Sequence, residues 1–287
     1  MSTGLDLYNR AAQEAAATVI SAYSTSFALA CRLLGPRVRP HVRNVYALVR
    51  IADEIVDGPA AEAGLAPETL RRVLDELEAE TLTAVTRGFS SNLVVHAFCR
   101  TARETGIGAD LVRPFFASMR TDLEVTAHDA GSHDAYVYGS AEVVGLMCLQ
   151  VFVNAGATTA ATPAPELVDG ARRLGAAFQD VNFLRDLSHD ADALGRDYLG
   201  LREGGDSRIA VLNRIDADLA AAAAVVPQLP ADCRRAVTAA HDLFGSLARR
   251  LRAEDPRTGV RVRVPDPVKA TLAARAMLGF APKGART

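Results

Sequence analysis

The sequence predicts an all-α protein, and three observations carry that expectation. Hydrophobic residues make up 49% of the 287 residues, with alanine and leucine abundant and tryptophan absent. Apolar positions recur at helical spacing, while alternating β-branched runs bounded by turn residues are scarce. Glycine and proline fall in short groups between the periodic stretches. Helices are expected at about 6–33, 40–57, 67–87, 91–105, 109–126, 133–154, 164–189, 207–224, 231–253 and 266–278.

Taken in order, the first helix is expected to end before Gly35-Pro36 and the second before Gly58-Pro59. In the second, Tyr46, Arg50, Asp53 and Asp57 follow an i, i+4, i+7, i+11 pattern, which is one face of a helix. Ala47, Leu48, Val49, Ile51, Ala52, Ile55 and Val56 make the remaining circumference apolar. The third carries a narrow stripe of Leu70, Val73, Leu74 and Leu77, and the fifth one of Leu111, Phe115, Met119 and Leu123. Both are expected on the outside of the fold with one face on the core. The seventh, after Thr162-Pro163-Ala164-Pro165, aligns Gln179, Asn182, Asp186 and Asp190 at i, i+3, i+7, i+11 among Val181, Phe183, Leu184 and Leu187. Gly204-Gly205 and the stretch from Pro227 to Pro230 separate the later helices. No connection is long or polar enough for an interdomain linker and no fixed-period repeat is present, so residues 1–287 read as a single domain.

The two acid-bearing faces hold the chemistry. Asp53/Asp57 and Asp186/Asp190 each place two carboxylates one turn apart, and like charges that close call for a cation between them. Mg²⁺ accepts one or two carboxylates and completes its shell with water and phosphate oxygens. One such pair alone reads better as a solvated face. Two pairs, each in an otherwise apolar helix and each beside an arginine, point into a shared cavity. Arg50 and Arg185 are either ion-pair partners of the acids or donors to phosphate, which the planar guanidinium bonds two oxygens at a time.

Composition narrows the field further. A net charge of -2 gives no reason to expect nucleic-acid binding. Cys31, Cys99, Cys148 and Cys233 are far apart, with no zinc-site spacing, and read as free buried thiols in a reducing cytosol. No secretory leader opens the chain, and no uninterrupted apolar run reaches the length of a transmembrane segment. A cytoplasmic protein is expected.

Four ordered motifs resemble those of the squalene/phytoene synthase family, the head-to-head prenyl transferases, and bacterial phytoene synthases most of all. They are Tyr23-Ser-Thr-Ser26-Phe27, Tyr46 through Asp57, Tyr136 through Met147, and Gly175 through Asp190 with its tail Gly195-Arg196-Asp197-Tyr198-Leu199. The resemblance runs from about Tyr23 to Lys269 and implies a helical isoprenoid-synthase bundle around a central cavity. It departs at Glu142, where the family usually has Gly, at Gly200, where it has Pro, and at His189, where it often has Glu. The charge at Glu142 is expected to loosen the packing of its helix.

The family activity implied is condensation of two prenyl diphosphates through a cyclopropylcarbinyl diphosphate, with release of diphosphate. On that reading Asp53, Asp57, Asp186 and Asp190 hold Mg²⁺, or Mn²⁺ as a substitute, against the leaving group, with Arg50 and Arg185 adding fixed positive charge. Gln179 and Asn182 orient ligands or bond diphosphate oxygens, with buried amides satisfying helix ends as the plainer alternative. Tyr46, Tyr136 and Tyr198 guide the leaving group or stabilise cations, or are simply core tyrosines with satisfied hydroxyls. Ser26, Phe27, Val144 and Arg261 are assigned to substrate binding, with Arg263 a rival to Arg261. Phe27, Val143, Val144, Leu146, Met147, Phe178 and Phe183 would wall a dry tunnel.

Small residues at Ala28, Ala30 and Cys31 leave room for a C20 tail, so geranylgeranyl diphosphate and phytoene are favoured over farnesyl diphosphate and a C30 product. Phytoene forms by proton loss, so NADPH is not expected. A head-to-tail prenyl transferase or terpene cyclase also uses Asp-rich helices, but the Asn182-Phe-Leu-Arg185-Asp186 phrase argues against it. A non-catalytic helical scaffold would be signalled by loss of an acid pair, and both are intact. Peripheral contact at the inner face of a membrane is expected because tail and product are insoluble in water.

Overall fold

In the computed structural model, residues 3–124, 130–193, 208–253 and 262–283 are described; for the helical residues 25–26, 130–131 and 187–193 the description covers the backbone alone. Among the described residues the regular structure is helical throughout. In chain order the helices are α1 (Gly4–Tyr23), α2 (Thr25–Arg32), α3 (Arg39–Val56), α4 (Pro59–Glu62), α5 (Pro67–Arg87), α6 (Leu93–Thr105) and α7 (Ala109–Glu124). Next come α8 (Ala130–Val137), a π-helical turn (Tyr138–Glu142) and α9 (Val143–Asn154), then α10 (Pro165–Ala193), α11 (Arg208–Val225), α12 (Ala231–Ala253) and α13 (Asp266–Met277).

Local chemistry sets these boundaries. Thr3 and Asp6 form a reciprocal capping box at the start of α1. Asn92 accepts from the Val94 and Val95 amides to open α6, and Pro67 opens α5 where its missing N–H costs nothing. Gly88 and Gly106 close α5 and α6 in the left-handed conformation, φ 85° and 78°. The expected first helix is in fact two. Ser24 leaves the helix (φ -141°, ψ 112°) and its hydroxyl caps α2 by accepting from the Phe27 amide at 3.0 Å, a competition that serine wins readily against helix continuation.

Packing divides α3 into a back and a front. On the back, Ala47 meets Ala12 and Ala16 of α1 and Ala97 of α6, small side chains that let three helices approach closely. Asn44 there donates to the Ala97 carbonyl (3.2 Å) and to Thr101 (3.0 Å). The front carries Tyr46, Arg50 and Asp53.

α7 corrects an expectation. It is not an outer helix with a narrow stripe: Val112, Phe116, Ser118 and Asp122 are buried along with Leu111, Phe115 and Met119. It is covered by α5 on one side and by the π turn and α9 on another.

The continuous helix from Ser132 to Asn154 is, by length and composition, one that could cross a membrane, although its sequence is interrupted by charge. Here it packs in the centre of the bundle, against α3, α6, α7 and α10. Its contacts are backbone-close. A Cβ on Gly139 would lie 2.3 Å from the Pro114 carbonyl oxygen, one on Gly145 2.6 Å from that of Ala171, and one on Gly175 of α10 2.6 Å from that of Ala141. Glu142 therefore does not loosen this helix. Arg172 of α10 bonds its carboxylate at 2.6 Å and neutralises it.

Candidate functional site

The front of α3 is an electrostatic conflict. Burial pushes the Asp53 carboxyl well above the ordinary carboxylate range, the charge of Asp57 adds to this, and Asp122 and Glu54 push the same way against the pull of Arg50. Arg50 bonds Glu54, lies 4.0 Å from Asp53, and stacks its guanidinium over the Tyr23 ring at 4.6 Å. Its Nε is buried without a hydrogen-bond partner. Asp57 caps the C-terminus of α3 and is exposed. Tyr46 is half-buried, its phenol pushed up by burial and hydrogen-bonded to Ser24. The single-residue break after α1 thus delivers Tyr23 onto Arg50 and Ser24 onto Tyr46.

Asp122 of α7 was not legible as a site residue. It is buried and accepts the Tyr136 hydroxyl at both oxygens, 2.8 and 2.9 Å. Ser118, one turn earlier, donates to the Tyr136 carbonyl at 3.1 Å. α7 therefore grips Tyr136 at phenol and backbone alike. The ring of Tyr136 lies 5.8 Å from that of Phe183. Asp122 so connects the acid face of α3 to Tyr136, and Tyr136 to α10. An acid in a helix whose apolar stripe lies elsewhere was the available signal.

On α10, Arg185 makes two bonds to the carboxylate of its neighbour Asp186, at 3.0 and 2.7 Å. Gln179 and Asn182 are half-buried on the same face. α3 and α10 both pack on α9, and extensive direct packing between them is absent among the described residues. Aromatic rings close one end of the intervening space. Phe27 of α2 stands 6.3 Å from Tyr46, 6.3 Å from Phe178 and 5.9 Å from Phe244 of α12, and Phe178 stacks on Phe244 at 3.8 Å. Of the expected wall, Phe27, Val144, Leu146 and Phe178 keep exposed surface, whereas Val143, Met147 and Phe183 are buried in packing. Burial pushes the Cys148 thiol up to about 12, with Cys31 close enough to add to the shift.

Tyr198, Gly200 and Arg261 lie outside the described residues, as do the side chains of Ser26, His189 and Asp190. The structure brings together Tyr46, Arg50, Asp53 and Asp57 with Asp122 and Tyr136, and places Gln179, Asn182, Arg185 and Asp186 along one helix.

The family model for squalene/phytoene synthase matches residues 20–203. The chain belongs to the squalene/phytoene synthase family. A 15-cis-phytoene synthase of Paracoccus is 29% identical over 259 residues, covering 81% of this chain and 80% of the relative. One of Synechocystis is 32% identical over 200 residues, 67% of this chain and 56% of the relative. Phytoene synthase 3 of maize is 32% identical over 178 residues, which span 62% of this chain and 40% of the maize protein. Among solved structures, a dehydrosqualene synthase superposes with a TM-score of 0.76 at 22% identity, covering 94% of this chain and 97% of the other. A squalene synthase of Alicyclobacillus acidocaldarius does so with 0.68 at 17% identity, covering 88% and 96%. These likenesses fix the fold as the all-α isoprenoid-synthase bundle.

The donor set fits the divalent ion that membership in this prenyl transferase family implies. A half-buried carboxyl crowded by Asp57, Asp122 and Glu54 gains most from a cation. Among the described residues no three acid, histidine or cysteine side chains converge as a ready-made cage. Mg²⁺ takes one or two carboxylates and completes its shell with water and phosphate oxygens.

Proposed function

We propose that this protein condenses two geranylgeranyl diphosphates head to head to phytoene, with Mg²⁺ and without NADPH. The observation that carries the reading is Asp53, a half-buried carboxyl pressed by Asp57 and Asp122 beside an arginine whose buried Nε–H has no hydrogen-bond partner. A diphosphate with its metal relieves both the surplus negative charge and the unused donor. Mg²⁺ held by Asp53, Asp57, Asp186 and Asp190 would neutralise the leaving diphosphate. Arg50 and Arg185 then supply bonds to its oxygens, and Gln179 and Asn182 orient it. Arg185 now bonds Asp186, so binding of diphosphate and metal there would exchange that ion pair for contacts to phosphate oxygens and to the ion.

Tyr136 donates its proton to Asp122 and so presents an electron-rich phenol, suited to steadying a carbocation. The rings of Phe27, Phe178 and Phe244 exclude water from the chain that ionises. Small residues support the C20 choice: Ala28 and Ala30 keep exposed surface on α2, the helix that carries Phe27, while Cys31 is buried in the core near Cys148 of α9. The phytoene synthase relatives support it as well.

Purified protein incubated with Mg²⁺ and either C20 or C15 diphosphate, with and without NADPH, should give a C40 hydrocarbon from the C20 substrate alone, indifferent to NADPH. A C30 product in preference would replace the substrate assignment. No hydrocarbon from either would sink the reading.

A further inference from the structure

Two buried titratable side chains adjoin the candidate site and have no part in the chemistry derived above. His133 of α8 and Asp180 of α10 are 8% and 1% exposed, at a junction that also holds Val137, Ala177, Val181, Phe183 and Leu184. His133 Nε2 stands 3.2 Å from Asp180 Oδ1, off the hydrogen-bonding line, and neither atom has a hydrogen-bond partner elsewhere. Asp180 Oδ2 accepts from Arg214 Nε of α11 at 2.9 Å, and His133 Nδ1 lies 3.5 Å from the exposed Asp134. A polar pair in this position is costly. Apolar side chains of similar volume fill such a junction at least as well, because a buried pair surrenders its hydration.

The position of the pair on α8 indicates what it can fix. His133 and Tyr136 are one helical turn apart, and each is met from a different helix: Asp122 of α7 takes the Tyr136 hydroxyl, and Asp180 of α10 faces His133. α8 packs only lightly on α10. The Phe183 ring of α10 lies against both side chains, 6.1 Å from the His133 ring and 5.8 Å from that of Tyr136. Asp180 follows Gln179 directly and shares a helical turn with Asn182.

We propose that His133 and Asp180 are positioning residues, whose pairing sets the Tyr136 phenol at a fixed place relative to the Gln179 and Asn182 amides of α10. This role rests on the prenyl-transfer reading, in which the amides hold the leaving diphosphate and the phenol steadies the carbocation. With α8 loosened, diphosphate would still leave, since both acid rows are untouched. The cation would then be exposed to water. Water adds to it, a C–O bond forms, a proton passes to solvent, and a prenyl alcohol replaces hydrocarbon.

The test is the ratio of diphosphate released to hydrocarbon formed from C20 diphosphate and Mg²⁺. In the parent two diphosphates leave for each hydrocarbon, one from each substrate. His133→Leu should raise the ratio roughly twofold or more, with prenyl alcohol making up the difference and KM little changed. Partial unfolding would lower both products together and leave the ratio alone. His133→Gln, whose amide can stand where Nε2 stands, should return the ratio towards the parent's. His133→Leu/Asp180→Leu fills the junction with apolar side chains while Arg214, its side chain 36% exposed, reaches solvent. That double variant should melt at or above the parent and still keep the raised ratio. A ratio unchanged in His133→Leu, left raised in His133→Gln, or restored in the double variant would overturn the proposal, while hydrocarbon from the parent keeps the catalytic reading. No hydrocarbon from the parent would overturn both.

Discussion

Asp53 sits where a lone carboxylate is least welcome, and its neighbours determine what substitution there should do. Asp53→Asn or Asp186→Asn should lower turnover at least a hundredfold, the order lost when one group that stabilises developing charge is removed, with helicity by circular dichroism unchanged. Full activity in either would refute the metal assignment. Asp122 acts on Asp53 through space, since its charge helps raise the Asp53 carboxyl. Neutralising it as Asp122→Asn removes part of that push, so residual activity should keep its acid limb to lower pH than the parent, measurable in a pH–rate profile. An acid limb that stays in place or moves up would sever that coupling. Tyr23 offers a different test because its ring, not its hydroxyl, touches Arg50. Tyr23→Phe should behave as the parent. Tyr23→Leu should raise KM roughly two- to fivefold with little change in kcat, the equivalent of about 0.5–1 kcal/mol for an exposed cation–π contact.

Among the elements, the junction of the π-helical turn with α10 is where general helix chemistry and this structure disagree in sign. A glycine inside a helix such as α10 is normally improved by alanine, by about 1 kcal/mol. At Gly175, however, a Cβ would meet the Ala141 carbonyl oxygen at 2.6 Å and the Glu142 Cα at 3.0 Å, backbone atoms that move only with the whole helix. Overpacking of that kind costs about 1–3 kcal/mol, so Gly175→Ala should lower the melting temperature and a raised one would contradict the close crossing. The sequence places both helices and the residues on their faces, because a period of 3.6 in apolar residues is a strong signal. It does not reveal how near two backbones come, since that depends on partners remote in sequence. Ser24 is a related case. Nothing in the apolar pattern interrupts there, and the break follows from a serine hydroxyl that satisfies the Phe27 amide more locally than helix continuation would.

Across the whole molecule, the acid rows were legible because each is written along one helix, whereas Asp122 required the knowledge that α7 is covered on two sides. Once assembled, the three acids Asp53, Asp57 and Asp122 make the metal-free protein's stability depend on pH in a definite direction. Asp53 holds its proton more tightly folded than unfolded, so its ionisation opposes folding. Below the unfolded value of about 4 both states are protonated and the residue is neutral in the balance. As pH rises from there towards the raised folded value, stability is progressively lost, and beyond it the loss is constant. Asp53→Asn lacks this dependence. Without metal, the variant should therefore melt above the parent near neutral pH, by on the order of 1 kcal/mol or roughly 2–4 °C, with the gap shrinking as pH falls towards 4. Adding Mg²⁺ with inorganic diphosphate should stabilise the parent through binding and leave the variant nearly unmoved, closing the gap from the other side. A variant that melts below the parent at neutral pH without metal would mean that Asp53 already has a sufficient cationic partner within the protein, and the electrostatic case for a divalent ion at this site would fail.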